Sequence, residues 1–81
     1  MKNKTLVLGA STNPNKYSNI AIKRLVDKGL EVVGLGIRKG TILGVKIDVE
    51  KVDYKNIDTV TLYLNPKRQE EYYKYIMRIK S

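Results

Sequence analysis

The chain has 81 residues and carries 16 lysines and arginines against 8 aspartates and glutamates, a net charge of +8. That length makes one domain, residues 1–81, and a domain this small buries only about 60% of the surface its unfolded chain exposes. It contains no cysteine and no histidine, which excludes disulfides, thiolate nucleophiles and sulfur metal sites, and removes the commonest general base and metal ligand.

No segment approaches the roughly 20 apolar residues of a membrane span. Met1-Lys2-Asn3-Lys4 leads into an apolar run too short for a secretory signal, so the expected location is the cytoplasm. The positive charge raises a nucleic-acid reading. However, the cations are dispersed along the chain, and neither an RNA-binding aromatic signature nor helix-turn-helix spacing is present. Solubility and attraction for a multiply charged anion account for the charge equally well.

In chain order, Lys4–Leu8 reads as a parallel strand buried on both faces. Ser18–Lys28 reads as a helix, with Ile22, Leu25 and Val26 at helical spacing and Lys23, Arg24, Asp27 and Lys28 outward. Ser18 is the expected N-cap and Gly29 the residue just past the helix. Glu31–Leu35 reads as a second parallel strand, completing a βαβ unit. Ile42–Ile47, interrupted by Gly44, reads as an edge strand or tight hairpin. Val49–Asn56 is polar and has room for one helical turn. Thr59–Leu64 is rich in β-branched and aromatic residues and reads as a third strand. Asn65-Pro66 ends it, and a last helix runs to about Lys80. Tyr72, Tyr75, Ile76 and Ile79 share one face of that helix, which favours packing over base stacking.

The most informative segment runs from Thr5 to Asn19. A buried strand meets Gly9, then a polar loop, then a helix. Unpaired amides and the helix dipole at such a junction favour an anion. Ser11, Thr12, Lys16 and Ser18 add donors for phosphate oxygens. The loop departs from the G-x-G-x-x-G fingerprint, because Gly9 alone of the three glycines is present. After the second strand, Gly36-Ile37-Arg38-Lys39-Gly40 is basic where an NAD site places an acid. Cations there suit a phosphorylated ribose, whether the 3′-phosphate of CoA or the 2′-phosphate of NADP, or else form a solvated basic turn. Arg38 is the stronger candidate, because a guanidinium grips phosphate in bidentate fashion.

Gly9-Ala10-Ser11, Pro14, Lys16-Tyr17-Ser18 and Glu31-Val32-Val33 together resemble the small stand-alone CoA-binding proteins of bacteria. Their domain is similar to the N-terminal domain of the succinyl-CoA synthetase alpha subunit. The resemblance continues through Gly34–Arg38, Ile42–Lys46 and Val60–Pro66, nearly the whole chain. It implies a Rossmann-like three-layer α/β/α fold with a short parallel sheet, three main strands ordered second–first–third, and helices on both faces. Family members continue with a further strand and helix, so the expected fold is one shortened at its C-terminal side, with an open sheet edge.

The resemblance also implies a ligand, CoA or acyl-CoA, bound without catalysis. Gly9, Ala10, Ser11 and Thr12 match the family's pyrophosphate loop. Lys16 matches a basic position, read either as a phosphate contact or as a solvated lysine. Tyr17 either packs over adenine or caps the sheet, and Ser18 starts the helix. Asn13 and Pro14 shape the loop. Arg38 or Lys39 neutralises the adenosine phosphate. Leu64, Asn65 and Pro66 border the pantetheine path, although Asn65 and Pro66 read at least as well as a helix start. Tyr63 is expected to point into the core. Asp48, Glu50, Asp53 and Asp58 match no metal or nucleophile–base spacing. The alternatives are an NADP-type domain and a ligand-free scaffold that dimerises through the open strand or the last helix.

Overall fold

Five strands form one sheet in the order β3-β4-β2-β1-β5 in a computed structural model that describes residues 4–80. Met1–Asn3, whose sequence bears on targeting, lie outside the described residues. The elements are β1 (Lys4–Leu8), α1 (Tyr17–Asp27), β2 (Glu31–Leu35), β3 (Gly40–Ile42), β4 (Val45–Asp48), β5 (Ile57–Leu62) and α2 (Pro66–Lys80). Strand β1 lies at the centre, parallel to β2 on one side and to β5 on the other. The expected second–first–third order of the main strands is therefore present, in a Rossmann-like α/β fold. Strand β4 extends the sheet parallel to β2, and β3 pairs antiparallel with β4.

Alternation along β1 divides the core between the two faces. Val7 and Ala10 pack with Ile22 of α1 and with Ile42, Val45 and Ile47 of the hairpin. Leu6 and Leu8 pack on the other face with Leu35, Ile57 and Tyr75, backed by Ile76 and Ile79 of α2. The two helices thus cover opposite faces. Residues 6, 7 and 8 are completely buried, as a run enclosed on both faces requires. A register shift at Lys4/Thr5 places one extra residue, Asp58, in β5. That bulge returns Ile57 to the α2 face together with Val60 and Leu62.

Helix α1 begins at Tyr17, and its N-cap is Lys16, which makes no side-chain capping bond. Ser18, expected as the cap, lies inside the helix and is buried. The Asn13 and Lys16 carbonyls accept the amides of Lys16 and Asn19, so backbone turns rather than a hydroxyl lead into the helix. At the other end the Gly29 amide donates to Val26 and the Leu30 amide to Leu25, a Schellman pair. Strand β5 starts at Ile57, two residues earlier than expected, and ends at Leu62, because its first residue enters the core. Residues 49–56 form no helical turn. Long-range bonds hold this segment instead: the Tyr75 hydroxyl donates to the Val52 carbonyl at 2.5 Å, and Lys51 Nζ donates to the Glu71 carbonyl at 3.1 Å.

Candidate functional site: a cationic cleft at the carboxyl ends of the strands

Gly9 leaves β1 with φ +84°, and a Cβ there would stand 2.6 Å from the Tyr63 carbonyl oxygen. Only glycine combines that dihedral with so close an approach of two backbones. The Gly9 and Ala10 amides both donate to the Leu35 carbonyl, at 2.9 and 3.0 Å. These two amides fasten the loop to β2 and are therefore not free to hold an anion. That corrects the expectation that the whole Gly9–Thr12 run offers its amides. Within the loop, the Ser11 hydroxyl accepts the Asn13 amide at 3.1 Å and the Asn13 side chain accepts the Asn15 amide at 2.9 Å. Asn13 therefore shapes the loop, as its sequence suggested. The amides of Ser11, Thr12, Tyr17 and Ser18 carry no hydrogen bond among the described residues. They are the donors that remain at the uncapped start of α1.

This loop forms the floor of a cleft of about 800 Å³, large enough for a cofactor-sized ligand. The cleft crosses the carboxyl ends of β2, β1 and β5, where open α/β sheets bind ligands. Gly9, Ala10, Ser11, Thr12, Lys16, Tyr17 and Ser18 line its centre, Arg38 lines the β2 bank, and Leu64 and Asn65 line the β5 bank. Ten of the twelve residues singled out from the sequence thus meet in one place. Lys39 and Pro66 do not line the cleft. Lys39 is exposed in the bend that leads into β3, and Pro66 is the exposed first residue of α2. Tyr17 is 79% exposed and does not cap the sheet. Tyr63 faces the cleft and is partly exposed, outside the core.

Sequence reasoning missed Arg68 and Tyr72, which line the β5 bank. They stand four residues apart on α2 and share a face. The Asn65 side chain accepts the Arg68 amide at 2.9 Å, so Asn65 caps α2 while also lining the cleft. The asparagine-proline start of α2 was the available signal, since it fixes which residues of the first turn look back at the sheet. Lys16, Arg38 and Arg68 bring positive charge to the lining from three separate segments, and no aspartate or glutamate is among the lining residues.

Glycines bring the two banks together. A Cβ on Gly36 would collide with the Ala10 carbonyl oxygen, and one on Gly40 with the Thr12 methyl group. The β2–β3 connection therefore lies directly against the β1–α1 loop and carries Arg38 to the cleft's rim.

Residues 3–81 match the family model of the CoA binding domain. The chain belongs to this family. Three solved structures share its fold. One, described only as an uncharacterized protein, is 41% identical with a TM-score of 0.92, over 99% of this chain and 66% of that one. A conserved hypothetical protein from Pyrococcus furiosus is 30% identical with a TM-score of 0.86, over 98% of this chain and 69% of its own. A hypothetical protein from Pyrococcus horikoshii is 27% identical with a TM-score of 0.85, over 99% and 57%. The chain thus spans 57–69% of the length of these structures. No curated protein matches the chain. Among the described residues no helix is long and apolar enough to cross a membrane.

Proposed function

We propose that the cleft binds coenzyme A or an acyl-CoA and that the chain catalyses no reaction on it. Membership of the CoA-binding domain family supports the ligand class. The observation that carries the reading to particular residues is the pairing of four unbonded amides with a cationic lining free of carboxylates. The pyrophosphate sits on the Ser11, Thr12, Tyr17 and Ser18 amides, beside the Lys16 ammonium. Fixed donors at a helix start suit an anion with no reorganisation of the protein. Arg38 meets the adenosine phosphate from the β2 bank. The pantetheine arm then runs along Leu64 and Tyr72.

The composition of the chain and of the lining supports binding without catalysis. The chain has no histidine or cysteine, and the lining offers no carboxylate to act as a general base. An NADP-type ligand is the second reading, favoured by the same feature, Arg38 at the end of β2. Arg38→Glu tests the site. In the CoA reading it lowers CoA affinity by about tenfold or more, the scale of one charge-assisted contact reversed in sign. An unchanged CoA affinity in this variant would refute the assignment. A loss confined to NADP would move the second reading to the front.

A further inference from the structure

We infer that the outer edge of β5 is a homodimer interface, on which a second copy of this chain adds its own β5 antiparallel about a two-fold axis at Thr61. The inference is independent of what the cleft binds.

The two edges of the sheet are built differently. One is β3, which is three residues long and directly follows Lys39. A short strand beside a lysine is a poor template for another chain. The other edge is β5, which is six residues long and pairs only with β1 among the described residues. It contains neither lysine nor proline. Its bulge lies at the start, and its register with β1 is regular from Thr59 to Leu62. Nothing in this strand blunts the edge.

The charge pattern treats β5 as an interior strand. The three longest stretches without lysine or arginine are 5–15, 29–37 and 56–66. The first two hold β1 and β2, which lie inside the sheet, and the third holds β5. In a chain of net charge +8, this gap lets two copies meet there without opposing cations. Both faces of the edge are only partly covered. Val60 and Leu62 are half-buried on the α2 face. On the other face Thr61 and Tyr63 line a groove of about 360 Å³ beside Ile20 and Leu25 of α1.

Backbone direction fixes which residues pair. The Tyr63 amide donates inward to the Leu8 carbonyl at 2.9 Å. Successive residues of a strand aim their backbone polar groups at opposite sides. Thr61 therefore also faces β1, whereas Val60 and Leu62 aim their N–H and C=O groups outward. Antiparallel pairing about Thr61 sets Val60 opposite the partner's Leu62, and Leu62 opposite the partner's Val60. Each of these pairs exchanges both N–H···O=C bonds. The same pairs match apolar side chains on the α2 face. On the other face Thr61 meets the partner's Thr61, and Thr59 meets the partner's Tyr63, so no like charges are opposed. The contact is isologous and closes on itself, which uses up both open edges and does not propagate a fibre.

The chain has no cysteine, so Thr61→Cys places one thiol per copy, beside the axis. Opposed Cα atoms of a non-hydrogen-bonded pair stand about 4.5 Å apart, within disulfide range. Mild oxidation is expected to convert most of Thr61→Cys to a covalent dimer, and little of Thr41→Cys, whose thiol lies on the β3 edge. Sedimentation equilibrium at high micromolar protein and moderate salt is expected to give the wild type twice the mass of one chain. Thr61→Lys is expected to be a folded monomer, and mixing it with Thr61→Glu to restore the dimer. A monomeric wild type would overturn the inference. So would a dimeric wild type whose Thr61→Cys form cross-links no faster than Thr41→Cys, since the contact would then lie elsewhere. If circular dichroism shows the charged variants unfolded, the wild-type mass and the cysteine comparison still decide.

Discussion

Asn19 Nδ2 donates to the Ser11 carbonyl at 2.9 Å, from a side chain only 2% exposed. In a planar trans peptide the N–H points opposite to the C=O. Holding the Ser11 carbonyl toward α1 therefore turns the Thr12 amide the other way. Asn19 Oδ1 is buried with no hydrogen-bond partner, a destabilising feature that an apolar residue of similar shape would remove. Asn19→Leu is expected to keep stability within about 1 kcal/mol of wild type while weakening CoA binding about tenfold. Paired chemical denaturation and calorimetry check this. A variant that loses stability and keeps its affinity would show that Asn19 serves the core alone.

Gly36 touches the Ala10 carbonyl so closely that an added methyl group meets rigid backbone. Neither strand end yields easily, because Gly36 donates to the Asp48 carbonyl at 2.8 Å while the Ala10 amide is tied to Leu35. Gly36→Ala is expected to destabilise the fold by about 1–3 kcal/mol, the usual cost of overpacking. It should also weaken CoA binding by displacing the anion loop. The urea midpoint reads the first effect and calorimetry the second.

The β3–β4 hairpin turns on Leu43 and Gly44, with φ +47° and +83°. Positive φ at both central residues of a two-residue loop is the type I′ pattern, which favours Asn-Gly. A leucine in the left-handed region is strained by about 1–2 kcal/mol, and Leu43 is 62% exposed, so little packing depends on it. Leu43→Asn is expected to stabilise the fold by about 0.5–1 kcal/mol. Thermal unfolding would then rise by about 2–6 °C in a domain of this size.

Burial holds two tyrosine hydroxyls in the protonated form. Tyr75 is pushed up to about 12, chiefly by burial and secondly by the Asp53 carboxylate, with Arg78 opposing. Tyr54 is raised above the ordinary range by burial and by the hydrogen bond it donates to Asp48. Between pH 10 and 12 the folded state thus keeps protons that the unfolded chain releases. Its stability is therefore full below pH 10 and falls as pH rises through that window. Tyr75→Phe should flatten the fall, although it also loses the bond to Val52. Denaturant midpoints measured from pH 8 to pH 12 test both statements, and an identical slope in the variant would contradict the Tyr75 assignment.

The parts of the fold that local chemistry dictates were legible in the sequence. Lys4–Leu8 and Glu31–Leu35 are short apolar runs that can only be buried strands, and the structure ends them at the residues expected. Gly29 and Asn65 mark helix boundaries through bonds made within a few residues. What depended on distant contacts was not legible. Ser18 is a good cap by type, but the core claims it. Residues 49–56 are held by bonds across the fold, from Tyr75 to Val52 and from Lys51 to Glu71. The site followed the same division. The place of the β1–α1 loop in the cleft could be read from its order of residues, whereas the place of Arg68 there depends on how α2 lies against the sheet. The occupied state of the Gly9 and Ala10 amides depends on the Leu35 carbonyl, a partner 25 residues away that no local pattern announces.

The central claim is that this cleft takes CoA by its phosphates, and calorimetry with CoA, dephospho-CoA and NADP at moderate salt tests it most directly. The account predicts binding of CoA that weakens about tenfold or more without the 3′-phosphate, and weaker binding of NADP. No heat with any of the three, from protein shown to be folded, would contradict it.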